Sequence, residues 1–154
     1  MTALDSLWAR YRLPLRDALH VNGGGSRTVS YEVSYGRPFG AGKAGPLRIG
    51  APFDLEASLK DAPDDDTSEV DGQKSLELPE GGCLWAGEGS HGSEGFFARL
   101  APDRALVWTV FFTGSNPFTG IQLRGRAATF TTAAGVVLTV DIDDPAQPPR
   151  PDLA

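Results

Sequence analysis

The sequence predicts a mainly β domain, an antiparallel β-sandwich or barrel with one short N-terminal helix. Three observations carry this expectation. About eight short stretches alternate apolar and polar residues, with turn signals roughly every 8 to 12 residues between them. The 154 residues include 19 glycines and 12 prolines, so turns are frequent. Only one stretch has helical period, and no helical pattern of about 10 to 15 residues joins successive strands, which excludes a βαβ sheet.

Leu4, Leu7, Trp8 and Tyr11 recur at helical spacing behind Asp5 and Ser6, so residues 3–13 read as an amphipathic helix stopped by Pro14. After the Gly23–Gly25 loop, Val29, Tyr31, Val33 and Tyr35 alternate with Thr28, Ser30, Glu32 and Ser34 as a half-buried strand, ended by Gly36, Arg37 and Pro38. Residues 39–46 hold three glycines and a proline without period and read as loop. Phe53, Leu55, Ala57 and Leu59 alternate with Asp54, Glu56, Ser58 and Lys60, the pattern of a second one-sided strand. Leu76 and Leu78 flank Glu77, and Cys83–Ala86 is a short apolar run before a glycine-rich turn.

Phe96, Ala98 and Leu100 alternate before the turn residues Ala101–Arg104, and an almost continuous apolar run follows from Ala105 to Phe112. This reads as a hairpin whose second strand is buried on both faces. Thr113–Pro117 turns the chain, Ile121 and Leu123 start another strand, and the apolar phase slips after Gly125 as at a bulge. Ala133–Gly135 turns again, and Val136, Leu138, Val140 and Ile142 form the last strand. The domain organisation expected is one β-rich domain over residues 1–142, containing an acidic loop at 61–74, and a proline-rich disordered tail at 143–154.

The net charge of −6 has one source. Asp61, Asp64, Asp65, Asp66, Glu69 and Asp71 fall within eleven residues that contain no Lys or Arg, and the other 143 residues hold 14 acids and 14 bases. Such a stretch reads either as a solvated, disordered loop or as a lure for a basic surface, because dense negative charge speeds association with a positive partner. It lacks the Ca²⁺-loop pattern: Thr67 takes the first ligand position and Leu78 the place of the bidentate Glu. An acidic domain is not expected to bind nucleic acid or anionic membranes, since phosphate contacts need cations. No run of 18 apolar residues and no signal-peptide pattern at Met1–Arg12 are present, which predicts a cytoplasmic location.

Gly87-Glu88-Gly89-Ser90-His91-Gly92 matches G-x-G-x-x-G, but it runs on into a strand, whereas the dinucleotide fingerprint needs a helix N-terminus for the pyrophosphate. Gly42-Lys43 lacks the first glycine and the hydroxyl residue of a P-loop. There is no G-x-S-x-G, no H-E-x-x-H and no second cysteine for a zinc cluster, so neither a cofactor nor a metal is expected. Cys83 reads as a half-buried apolar residue and His20 as structural or exposed. His91, beside Glu88, Ser90, Ser93 and Glu94, could form an acid/base pair with a carboxylate or make a partner contact. Trp85, Trp108, Phe111 and Phe112 read as core, and Phe118, just past Asn116-Pro117, as an exposed aromatic that could anchor an interface.

In size, charge and lack of catalytic signatures, though by no motif, the chain resembles the small immunity proteins of bacterial polymorphic toxin systems. That resemblance implies a non-enzymatic, cofactor-free inhibitor that binds a cognate toxin and occludes its active site. The contact residues expected are Asp64, Asp65, Asp66, Glu69 and Asp71 for charge complementarity to a basic toxin or enzyme domain, with Glu88, His91, Glu94 and Phe118 from the loops. The alternative is a ligand-binding or catalytic β-barrel that uses the Gly87–Gly95 loop with His91 at its mouth.

Overall fold

A sheet whose central strands are apolar on both faces needs two covers, and the chain supplies both. The structure is a computed structural model that describes residues 2–34, 43–44, 47–61 and 66–148. In chain order these form α1 (Ala3–Trp8), β1 (Arg12–Pro14), β2 (Ala18–Val21), β3 (Gly25–Ser30), β4 (Val33–Ser34), β5 (Lys43–Ala44), β6 (Arg48–Phe53) and α2 (Leu55–Asp61). There follow β7 (Thr67–Glu69), β8 (Asp71–Glu77), β9 (Cys83–Glu88), β10 (Gly95–Leu100), β11 (Leu106–Phe112), β12 (Phe118–Arg124), β13 (Ala127–Thr132) and β14 (Val137–Asp141).

A seven-stranded sheet runs β6-β3-β2-β11-β10-β9-β8, and every neighbouring pair is antiparallel. Its edges β6 and β8 do not close on each other, so the protein is a sandwich and not a barrel. A three-stranded sheet, β12-β13-β14, covers one face. Between the sheets Phe97 stacks on Phe130 at 4.1 Å, Phe118 meets Phe97 edge-on at 5.0 Å, and the Trp108 indole N–H donates to Ile142 O. The other face carries Phe96, Ala98, Leu100, Leu106 and Phe111, and α1 lies over it with Leu4 and Trp8. A two-stranded ribbon of β1 and β7 contributes Leu13 to the same cluster.

The central hairpin is buried on both faces, as its apolar run requires. One irregularity sets its phase: Arg99 pairs with Trp108 but Leu100 with Leu106, so Val107 is an extra residue. That bulge lets Leu106 and Phe111, an odd number of residues apart, share the α1 side.

Several expectations need correction. The alternation from Phe53 to Lys60 is not a strand: β6 ends at Phe53, Asp54 Oδ1 accepts from Ala57 N, and α2 follows. Leu55 and Leu59 satisfy both periods, and the Asp54 cap decides between them. Helix α1 stops at Trp8, because Tyr11 turns to φ +54° and sends Arg12–Pro14 into a ribbon with β7. The phase slip after Gly125 is a two-residue hairpin turn, with Arg124 opposite Ala127 and Gly125 at φ +60° as a type II′ turn needs. Part of the acidic segment is strand and not loop: Thr67, Ser68 and Val70 are buried, which draws β7 and β8 into sheets. Asp64 and Asp65 lie outside the described residues, as does Tyr35. Phe118 is not exposed: as the first residue of β12 it is fully buried between Phe97 and Phe112. Residues 143–148 make turns anchored by Asp143, which binds Arg126 and Arg99, and by the buried side of Ala146; residues 149–154 lie outside the described residues.

Candidate functional site

The connection from β9 to β10 is held by a buried carboxylate. Glu94, 4% exposed, turns inward, and its Oε1 accepts from Ser68 Oγ at 2.6 Å and from His91 N at 3.3 Å. Its Oε2 meets His91 Nδ1 at 2.9 Å. Ser68 Oγ accepts from Ser90 N, and the Ser90 hydroxyl accepts from Glu69 N and donates to Glu69 O. Two serines thus fasten the glycine loop to β7 from 20-odd residues away in sequence. Sequence reasoning missed both, because a serine's role here depends on which strand it faces.

This network joins the acidic segment and the His91 loop into one surface. Glu69 is exposed on β7, opposite Arg12 of β1, whose guanidinium is turned to Thr67 Oγ1 and O at 2.8 and 3.0 Å. Asp66 is exposed immediately before β7. Asp71 of β8 pairs directly with Glu88 of β9, and among the described residues neither carboxylate has an ion-pair partner. Asp66, Glu69, Asp71, Glu88 and His91 therefore sit around the β7–β8 corner and the loop beside it. Glu94 belongs beneath this surface as its fastening, and Phe118 in the core.

The chemistry of the His91–Glu94 pair is limited by its arrangement. In nucleophilic catalysis the imidazole stands between hydroxyl and carboxylate. Here the carboxylate stands between Ser68 and His91, so the imidazole cannot take the Ser68 proton. His91 instead presents a side chain that is 70% exposed, with Nε2 outward and its ring held from behind. Cys83 is buried rather than half-buried, and burial raises its thiol pKa, the reverse of what a nucleophile needs; its polar neighbour is Arg104 Nη1 at 3.6 Å. Among the described residues no three His, Cys, Asp or Glu side chains are placed to hold a metal ion, and no helix is long and apolar enough to cross a membrane.

Comparison with protein-family models, with curated proteins and with solved structures gives no match. The functional reading therefore rests on this geometry and on the class resemblance in size and charge.

Proposed function

We propose that the chain is a non-enzymatic binding protein that sets its acidic corner against the basic surface of a protein partner. The observation that carries this reading is the Asp71–Glu88 pair. Like charges directly across two antiparallel strands destabilise the sheet, and among the described residues no cation pairs with either. A partner's Lys or Arg would, and Glu69 and Asp66 extend the same field. The buried Glu94 fastening supports the reading further, since a held loop spends little ordering entropy on binding. Phosphate would be repelled by the same charges, so the partner is a protein and not a nucleic acid or an anionic membrane.

In its specific form the proposal follows the class resemblance: an immunity protein, acting in the bacterial cytoplasm, that blocks the active site of a toxin whose substrate site is basic. The test begins with capture of partners from the native host by the wild-type chain and by the variant Asp66→Asn/Glu69→Gln/Asp71→Asn/Glu88→Gln. The captured partner is then purified, its toxicity on expression is measured with and without this chain, and its affinity is titrated against salt. The expected result is one stoichiometric partner whose toxicity the chain suppresses and whose binding weakens at least about tenfold in the variant and with rising salt. A partner bound equally well by both forms at all salt concentrations sinks the mechanism.

A further inference from the structure

A second surface lies on the α1 side of the large sheet. Trp8, Tyr11 and Trp85, with Ala9, Ser75, Leu100 and Arg104, line a groove of about 290 Å³. The ring centroids stand 6.3 Å (Trp8–Tyr11), 6.0 Å (Tyr11–Trp85) and 5.8 Å (Trp8–Trp85) apart at steep angles. Rings at that spacing touch edge to face, so nothing enters between them. They make a continuous aromatic wall, not a cage. Tyr11 is the large apolar side chain most open to solvent, at 55% exposure among the described residues. It also holds φ +54°, two residues past the C-cap Ala9, a left-handed conformation that glycine adopts without strain. A bulky side chain kept in that conformation points to a use for its ring.

The hydrogen-bonding character of the groove selects the ligand. Among the described residues the indole N–H groups of Trp8 and Trp85, the Tyr11 hydroxyl and the Ser75 hydroxyl have no hydrogen-bond partner, and Arg104 contacts only the Cys83 sulfur. The lining contains no carboxylate and no side-chain amide. Its side chains therefore offer donors in excess of acceptors. Sugars present many hydroxyl donors and would find few acceptors; a quaternary cation would meet Arg104. An extended proline-rich segment fits on each count. It has carbonyl acceptors, no N–H groups on its prolines, a preformed backbone, and flat ring faces that lie on indole and phenol.

We propose that the wall of Trp8, Tyr11 and Trp85, with Ser75 and Arg104, binds a proline-rich polyproline-II segment of a partner protein. This site shares no lining residue with the acidic corner, and its test involves no basic ligand.

The full chain is titrated with decaproline, and with a glycine–serine peptide of equal length, while the tryptophan indole N–H signals are followed by NMR. Decaproline is expected to shift the Trp85 and Trp8 signals saturably, with Kd below about 1 mM, and to leave that of Trp108, which is bonded to Ile142 O, in place. Tyr11→Gly, which suits the backbone, is expected to keep the melting temperature and lose at least about tenfold in affinity, and Arg104→Ala to keep the fold and bind more weakly. No saturable shift, equal binding of the glycine–serine peptide, or full affinity in Tyr11→Gly would overturn the proposal. Removal of residues 149–154 serves as the last arm. A tenfold gain in decaproline affinity would make the chain's own tail the occupant and overturn the assignment to a partner.

Discussion

Acidification from pH 7 to 4 is expected to remove about 3 kcal/mol of folding free energy through one side chain, His20. It lies on β2 between Ser26 of β3 and Thr109 of β11 and has no solvent exposure. Nδ1 shares a hydrogen bond with Ser26 Oγ at 2.7 Å, Nε2 has no partner, and the Phe53 ring stands edge-on at 6.1 Å with Arg16 stacked over it at 3.8 Å. Burial first, and the Arg16 charge second, lower the imidazole pKa from 6.5 to about 4. At 1.36 kcal/mol per unit the difference is worth about 3 kcal/mol, a large part of a small domain's stability. Between those pH values the unfolded chain binds a proton that the folded chain refuses, so stability rises with pH. It is complete above 6.5, falls as pH drops to 4, and levels off below, where both states are protonated. The assay is urea unfolding, read by tryptophan fluorescence from pH 7.5 to 4 at fixed salt, on the wild type and His20→Leu. The variant removes the titrating group, so whatever its stability at pH 7, the slope between pH 6.5 and about 5 should vanish. Carboxylates held ionised by hydrogen bonds enter only at the acid end. Arg126 and Arg99 lower Asp143 to about 2, and Asp5 and Glu80 are lowered as well, so their losses begin near the ordinary values of 3.8 and 4.5 and continue below them, which leaves the His20 slope to be read above about pH 5. A wild type with no slope between 6.5 and 4, or a His20→Leu protein with the same slope, would refute the reasoning.

Three further outcomes can be checked on the same purified protein. Gly72→Ala should destabilise by about 1–3 kcal/mol and alter tryptophan emission, because the added Cβ would sit 1.8 Å from the Trp85 indole, read by thermal unfolding. Glu94→Ala should cost about 2 kcal/mol and speed amide exchange at Ser90 and His91, since it strips the acceptor from the Ser68 hydroxyl and the His91 amide; unchanged exchange would mean that the loop is held otherwise. Asp71→Lys should turn a like-charge pair with Glu88 into an attractive one, leave the fold equally stable or firmer by about 0.5 kcal/mol, and abolish partner binding; a loss of stability would remove the argument built on that pair.

Where periodicity had one solution, the sequence was readable. Val136–Ile142 and Phe96–Leu100 alternate with nothing competing, and both are strands. Leu55 and Leu59 fit both periods, and only the Asp54 cap separates helix from strand. Strand β2 was overlooked because Ala18, Leu19 and His20 are buried in succession, on both faces of the sheet, so no alternation marks them. Phe118 was misplaced for a related reason: Asn116-Pro117 marks a turn, but a turn signal says nothing of whether the next ring falls on the inner face of the following strand.

The candidate site was legible in its charges and illegible in its supports. Acidity can be counted along the chain, so Glu69, Asp71 and Glu88 were found, but that Asp71 faces Glu88, 17 residues on, is a fact of register between β8 and β9. Ser68 and Glu94 meet across 26 residues for the same reason. Tyr11 carries the point furthest. Its spacing from Leu4 and Leu7 matches a helix, yet Val70 N donates to Tyr11 O and Arg12 pairs with Glu69. The ribbon therefore pulls the chain out of the helix at Tyr11 and forces the left-handed turn that lifts its ring onto the aromatic wall. The same short ribbon fixes Glu69 and, through Ser68 and Ser90, the His91 loop. Both candidate surfaces thus depend on three residue pairs between β1 and β7, which is why neither could be assembled from local pattern.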